Sequence, residues 1–478
     1  MTNAVKCAAF LLTAVSKKAL VIRGVPTENY EEVFRMSGQI TAIKKNLDDA
    51  ITQLCEVSWM FSKRPARDFT RGRKLPLRKM ISLLLAMEGG TLTNELLKHF
   101  GCSADIASSS AFVQQRSKIN TCAFPSLFDL FVKKTDNPKR YKGLRLLAVD
   151  GSDFQIPTNP NHTDSYFPRA NGQAPYNMLH LDAMYDLLQH TYVDAVLLGQ
   201  RNTNEQRSLC SMVDRSGLKD VLVIADRGYE GYNVLAHIQE KTWKYLIRIK
   251  DIHTTGGFAA GLSFPVTDEF DMPVNLNLIT RQTAEAKVLC RDKNSYRFIP
   301  STTTFDFLSR DKAKHSPLAF YSMPFRVVRF KISDDIYETV VTNLDVSLFP
   351  AGELKKLYNM RWGIETSFRE LKYTVGLLHF HAKKVEHICQ EVFARLIMYN
   401  FSELVTSHVI IQKAHTKYAY KANFSVAVHV CRQFFLGNVS PPDAEALIRR
   451  HVSPIRPGRS RPRKMTVKHA VSFVYRVA

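Results

Sequence analysis

Two short apolar runs that each end in an aspartate restrict what this chain can fold into more than any other feature. "LRLLAVDGS" closes its run on Asp150 and "VLVIAD" on Asp226. Between them, "MLHLDAMYDLLQHTYVDAVLLG" reads as two strands joined by a polar turn and "NEQRSLCSMVDRS" as a helix. A helix over "YNVLAHIQEK" and a strand over "WKYLIRIK" follow. The predicted order is strand, strand, strand, helix, strand, helix, strand. That order implies an α/β (mixed α+β) class: a mixed sheet flanked by helices. An acid that ends an apolar strand leaves the sheet at its edge, where it can meet a carboxylate from a packed helix.

The rest of the chain divides around this region. Residues 1–135 are predicted to be a helical N-terminal DNA-binding region. Within it, Lys63–Lys79 carries eight Lys or Arg and one Asp in a Pro- and Gly-punctuated loop. "TLTNELLKHFGCSADIASSSAFVQQRSKI" then has the outline of helix, Gly-containing turn and second helix. Gln114, Gln115, Arg116 and Lys118 on that second helix are the candidate DNA-reading residues. The same outline also describes an ordinary helical pair with a wet face. Residues 140–250 are expected to form the first part of the sheet-bearing domain, 251–344 a β-rich insertion subdomain and 345–425 the domain's second part. Residues 426–478 form a basic C-terminal region, with nine Lys or Arg and no carboxylate side chain from Arg449 onward.

Charge points to the partner. Sixty-six Lys and Arg against 44 Asp and Glu leave a formal charge of +22. An excess of that size suits a polyanion, because each neutralised phosphate releases a counterion. Nucleic acid leads and an anionic membrane surface is second. The eight cysteines show no metal-binding or disulfide spacing and read as reduced thiols of a cytosolic protein. "CAAFLLTAV" near the N-terminus is read as a buried helix in preference to a signal peptide. No segment approaches the ~20 apolar residues of a membrane span, so a soluble protein is expected.

"YNMRWGIETSFRELK", residues 358–372, adds a third acid. At about 100° per residue from Tyr358, Arg361 falls near ~300°, Lys372 near ~320° and Glu365 near ~340°. The four residues form one polar stripe beside an apolar band of Leu357, Met360, Ile364, Phe368, Leu371 and Val375. Arg361 and Glu365 alone could be an i,i+4 pair that stabilises a helix by ~0.2–0.5 kcal/mol. Together with Asp150 and Asp226, Glu365 would complete a cluster of acids that repel one another unless a divalent cation neutralises them. The reading treats this segment as one helix despite Gly363. Asp153 is the rival for the first position, while Asp182 and Asp186 are expected at a turn or on the surface. Arg227 either pairs with Asp226 or reaches DNA.

The strand-end acids in "AVDGS" and "IADRGY", with the Y-x2-R-x3-E-x6-K signature of Tyr358, Arg361, Glu365 and Lys372, resemble the DDE transposases of bacterial insertion sequences, specifically the insertion-sequence-four type. The resemblance covers most of residues 90–460 and includes "SAFVQQR" and "PIRPGR". It implies a ribonuclease-H-like fold and a catalytic triad of Asp150, Asp226 and Glu365 that ligates two Mg²⁺ or Mn²⁺ ions, Asp150 bridging the pair. It also implies binding of terminal inverted repeats and target DNA, strand cleavage and transfer through hairpin ends, and a homodimer in the synaptic complex. The expected location is the cytoplasm, at the nucleoid, with no membrane association. Tyr358, Arg361 and Lys372 would grip phosphates beside the scissile bond. Trp362 either belongs to the core or stacks on an unpaired base. Two other readings remain: an inactive or recruited DNA-binding protein derived from a transposase, and a ribonuclease-H-like nuclease or resolvase.

Overall fold

A computed structural model describes residues 30–456 except 171, 173, 253–255, 311–317, 335 and 412–417, with backbone alone for 30–37 and 474–475. The apolar run near the N-terminus and the basic tail beyond 456 lie outside the described residues. The chain forms two compact units. One holds residues up to Thr135 together with Gln390–Thr466, and the other holds Asp136–Cys389 with Val467–Val477.

The first unit begins with helices α1 (Tyr30–Glu56), α2 (Leu77–Ala86), α3 (Leu92–His99), α4 (Ser109–Arg116) and α5 (Ala123–Lys134). On α1, Ile40, Ile43, Leu47, Ile51 and Leu54 recur every three or four residues and are buried, so one stripe faces the core. Thr91 and Ser108 cap α3 and α4 by accepting the backbone N–H of Asn94 and of Ala111. Residues 100–108 separate these two helices. That link is longer than the three- to four-residue turn of a helix-turn-helix, so the predicted outline is a looser helical pair.

The second unit is built on a sheet. Its strands are β1 (Arg145–Ile156), β2 (Tyr166–Phe167), β3 (Tyr176–Asp186), β4 (Thr191–Gly199), β5 (Val221–Ala225), β6 (Lys244–Ile249), β7 (Phe270–Ile279), β8 (Tyr296–Phe298), β9 (Tyr321–Ser333) and β10 (Ile336–Thr342). Helices α6 (Glu205–Arg215) and α7 (Tyr232–Glu240) connect the central strands, and α8 (Ala284–Leu289) lies between β7 and β8. Strand β1 runs antiparallel to β3 and parallel to β5, β5 runs parallel to β6, and β4 flanks β3. An antiparallel meander continued by two parallel strands is the ribonuclease-H-like arrangement.

Residues 251–344 do not stand apart from this sheet. Strand β10 pairs antiparallel with β6, and β9, β7 and β8 extend the order outward. Val327 of β9 and Val341 of β10 share one buried cluster with Ile247 of β6, Val223 of β5 and Val149 of β1. A common apolar face makes the insertion a continuation of the catalytic sheet.

After the sheet come α9 (Ala351–Met360), α10 (Trp362–Tyr373), α11 (Val385–Ser407), α12 (Phe424–Leu436) and α13 (Pro441–Arg450). From Gln390 through Arg450 these helices belong to the first unit. In the helical core Phe401 of α11 stacks on Phe434 of α12. The single helix predicted over 358–372 is broken at Arg361, where the bonds Arg361 N–H to Tyr358 O and Ile364 N–H to Arg361 O tighten to i,i+3 spacing. Gly363 is not the break. A Cβ there would lie 2.9 Å from Leu187 Cδ2, so this glycine admits close packing of α10 on the end of β3.

Candidate active site

Strand register brings the two aspartates together. The parallel pairing of β1 with β5 ends at Val149 opposite Ala225, with parallel neighbours ~4.8 Å apart. Asp226 follows the end of β5, whereas Asp150, expected to end its strand, lies inside β1, which runs on to Ile156 beside β3 after parting from β5. Asp226 caps the short turn Arg227–Tyr229 and accepts the Gly228 N–H at 2.8 Å. Asp150 accepts the Gly151 N–H at 2.9 Å.

Helix α10 packs on β1 and carries Glu365 in its first turn, where the helix dipole favours an anion. The Arg361 guanidinium joins the two elements, with Nη2 2.7 Å from Glu365 and Nη1 3.6 Å from Asp150. Burial pushes the Asp150 carboxyl up to about 7; Arg361 and the Gly151 N–H oppose that shift, and the charges of Asp226 and Glu365 add to it. Asp226 and Glu365 are thus both within electrostatic reach of Asp150. Carboxylate oxygens, offset here by one guanidinium, are the donor type a hard divalent cation takes.

A pH dependence follows. Below about 7 Asp150 holds a proton that an incoming ion must displace; above that value it does not. Calcium binding measured by calorimetry should therefore weaken by about tenfold per pH unit below neutrality and level off above it. Equal affinity at pH 5.5 and 8 would contradict the assignment of Asp150 as a ligand.

Other predicted residues are placed differently from expectation. Tyr358 is only 3% exposed and its hydroxyl has no hydrogen-bond partner, so a phosphate cannot reach it in this conformation. Arg361 is also buried and engages carboxylates where a phosphate clamp was expected. Lys372 donates to the Asp153 carbonyl at 2.7 Å, tying the end of α10 to β1. Trp362 is 48% exposed, which removes it from the core, and the Arg361 guanidinium carbon lies 5.1 Å from its ring centroid.

Asp153 lies 2.6 Å from His180 Nδ1. Asp182 and Asp186 are fully buried, not at the surface: Asp182 meets His180 Nε2 at 2.9 Å and Asp186 meets Arg145 Nε at 2.8 Å. Burial alone would depress the His180 imidazole, but the carboxylates of Asp153 and Asp182 push it up to about 10. His180 and Glu205 were missed by the sequence reading. The available signal was His-x-Asp, a polar alternation inside an otherwise apolar strand. Arg227 is exposed.

In the helical unit, Arg116 is buried and bonded to Glu391 at 2.7 Å and to Gln390 at 2.9 Å. It cannot enter a DNA groove. Gln115 is buried and accepts from Lys118, while Gln114 is exposed. The Lys63–Lys79 loop folds into a cleft of about 450 Å³ lined by Arg64, Arg67, Arg71, Arg73 and Lys118. Its one carboxylate, Asp68, is buried and bonded to Arg64, which leaves the rim cationic.

With this geometry in view, residues 141–401 match the family described as the transposase DDE domain. The chain belongs to the DDE transposase family. It is 23% identical over 369 residues, 73% of each chain, to the transposase InsG for insertion sequence element IS4 of Escherichia coli strain K12. A cryo-EM structure of the piggyBac transposase synaptic complex with hairpin DNA aligns with a TM-score of 0.41 and 10% identity, over 85% of this chain and 80% of that chain. This DDE transposase is thus a DNA-binding enzyme that cleaves and transfers DNA strands, and its family generally uses divalent metal ions. Among the described residues no helix of the transposase is long and apolar enough to cross a membrane.

Proposed function

We propose that this transposase recognises the terminal inverted repeats of its own element and moves it by cut-and-paste, with Asp150, Asp226 and Glu365 as its catalytic carboxylates. The observation that carries the reading is the Val149–Ala225 register, which sets Asp150 beside Asp226, joined to Glu365 through Arg361. The three carboxylates would hold two Mg²⁺ or Mn²⁺ ions, which when bound supply an activated oxygen nucleophile and stabilise the leaving oxygen.

The chain's own residues do the positioning. Arg361 occupies the carboxylates in the resting site, and neutralising them frees its guanidinium to turn toward a DNA phosphate. Lys372 holds the β1 backbone beyond Asp150 against α10. Trp362, half exposed beside the Arg361 guanidinium, would stack on a base unpaired during hairpin formation once Arg361 turns to the DNA. Gln114, Lys118 and the basic cleft bind the repeats, and two copies synapse the two ends. The reaction takes place in the cytoplasm, on nucleoid DNA.

The test uses the full chain, Mg²⁺ and DNA ending in the inverted repeats that bracket its reading frame. The expected products are 3′-hydroxyl nicks at the ends, then end hairpins and joined strands. Nicking with no joined product would favour a nuclease. Binding with no metal-dependent nicking would leave a DNA-binding protein derived from a transposase.

The basic cleft makes a separate prediction. Each phosphate contact contributes roughly 0.9 to the slope of log affinity against log salt on duplex DNA. Replacing Arg67, Arg71 and Arg73 together by alanine should lower that slope by about 3, as measured by fluorescence anisotropy between 50 and 200 mM salt. An unchanged slope would remove the cleft from the DNA path.

A further inference from the structure

A second cluster lies across the sheet from Asp150. Residues alternate faces along β1, so Gly151 and Asp153 point away from α10, toward the side covered by α6. Opposite them on β3 stand Asp182 and His180, and Glu205 begins α6. One ligand atom each from His180, Asp182 and Glu205 lies within 4.8 Å of the other two.

The spacing is that of groups around one ion. Two ligand atoms each ~2.0–2.2 Å from a shared metal, at angles of about 90–109°, stand ~2.9–3.5 Å apart. His180 Nε2 is 2.9 Å from Asp182 Oδ1 and 3.5 Å from Glu205 Oε1. The other ring nitrogen is held by Asp153 at 2.6 Å, the outer carboxylate that orients metal-binding histidines. Two buried polar atoms independently lack a partner here. Among the described residues Asp182 Oδ2 has none, and neither has the hydroxyl of fully buried Tyr229, which lies within electrostatic reach of Glu205 and Asp182 and also of Asp150 and Asp226. A buried polar group without a partner is costly, and a cation between them would satisfy both. Gly151 keeps the space open, since a Cβ there would collide with the His180 ring and lie 2.7 Å from Glu205 Oε1. The Glu205 side chain is 36% exposed, which leaves a way in.

We propose that His180, Asp182 and Glu205 form a divalent-cation site distinct from the DDE triad, with Asp153 as its outer partner and the Tyr229 hydroxyl facing the ion. One nitrogen among oxygen donors suits a borderline ion such as Zn²⁺ in preference to Mg²⁺, and Mn²⁺, which also takes an imidazole ligand, serves as its paramagnetic probe. Such an ion would pin α6 to β3 and fix Glu205, whose Oε2 would lie 3.2 Å from a Cβ at Gly228, in the turn that Asp226 caps. The site depends on no step of the DNA chemistry.

The triad contains no nitrogen ligand, and that difference makes the two sites separable. The full chain, stripped with chelator, is loaded with Mn²⁺ and read by electron spin-echo spectroscopy for directly bound ¹⁴N. Expected is a ¹⁴N signal from one ion per chain, kept in Glu365→Gln and lost in His180→Gln. Glu205→Gln, closer in shape and partly exposed, should keep the fold and weaken the ion by at least ~100-fold, and Asp153→Asn by ~10–100-fold. An all-oxygen spectrum at every loading up to three ions per chain would overturn the proposal. So would a ¹⁴N signal that survives in a folded His180→Gln protein. Loss of DNA cleavage in Glu365→Gln with the ¹⁴N signal intact would leave both this site and the triad standing.

Discussion

Glu365→Gln should abolish strand cleavage while leaving a folded protein that still binds DNA. The substitution removes one negative charge and one hard oxygen from the triad but keeps the side chain's shape. Deleting a single electrostatic stabiliser from an active site costs ~10²–10³-fold in rate, and a lost metal ligand should reach at least the upper end of that range. Stability should scarcely change. The Arg361–Glu365 pair is one third exposed on the glutamate side, and such pairs contribute only ~0.2–1 kcal/mol. The two magnitudes differ enough to separate catalysis from folding: a thermal melt within a few degrees of wild type, beside nicking reduced by ~10³-fold or more, is the expected combination. Metal-dependent nicking at the wild-type rate would sink the assignment of the triad. A large fall in melting temperature would instead make Glu365 a structural residue.

What could be read in the sequence was local, and what escaped it was long-range. Asp150 and Asp226 stood out because an acid rarely ends an apolar strand without purpose, and parallel pairing then sets the two side by side. Arg361 and Glu365 stood out because four residues is one helical turn. The burial of Asp182 and Asp186 was hidden, because acids in a predicted hairpin look wet. Strand β3 in fact lies between β1 and β4, and its acids are answered by His180 and Arg145. The insertion seemed separate because the pairing of β6 with β10 joins segments about 90 residues apart, a partnership that no local period records. Tyr358 and Arg361 fell correctly on the helical stripe, yet a wheel carries no depth and could not tell that both are buried.

Arg116 makes the same point energetically, and here the expected effect is on stability. The sequence placed it among DNA-reading residues, but its guanidinium is 1% exposed and the Glu391 carboxylate it meets is 2% exposed. Breaking a buried pair from one side leaves the other charge stranded, at a cost of about 3–5 kcal/mol, so Arg116→Met should shift the denaturant midpoint markedly. Exposed Gln114 on the same helix should change stability by no more than about 0.5 kcal/mol when replaced by alanine. Removing both charges tests the cause. In Arg116→Met/Glu391→Leu no stranded carboxylate remains, and buried pairs replaced by apolar side chains of similar volume are often neutral. The double variant should therefore recover part of the loss, with Gln390, which also accepts from Arg116, and buried Arg395, whose charge Glu391 also offsets, accounting for the remainder. If the single variant kept full stability and lost only DNA affinity, Arg116 would be a reader of DNA after all, and the buried contact with Glu391 would not represent the protein in solution.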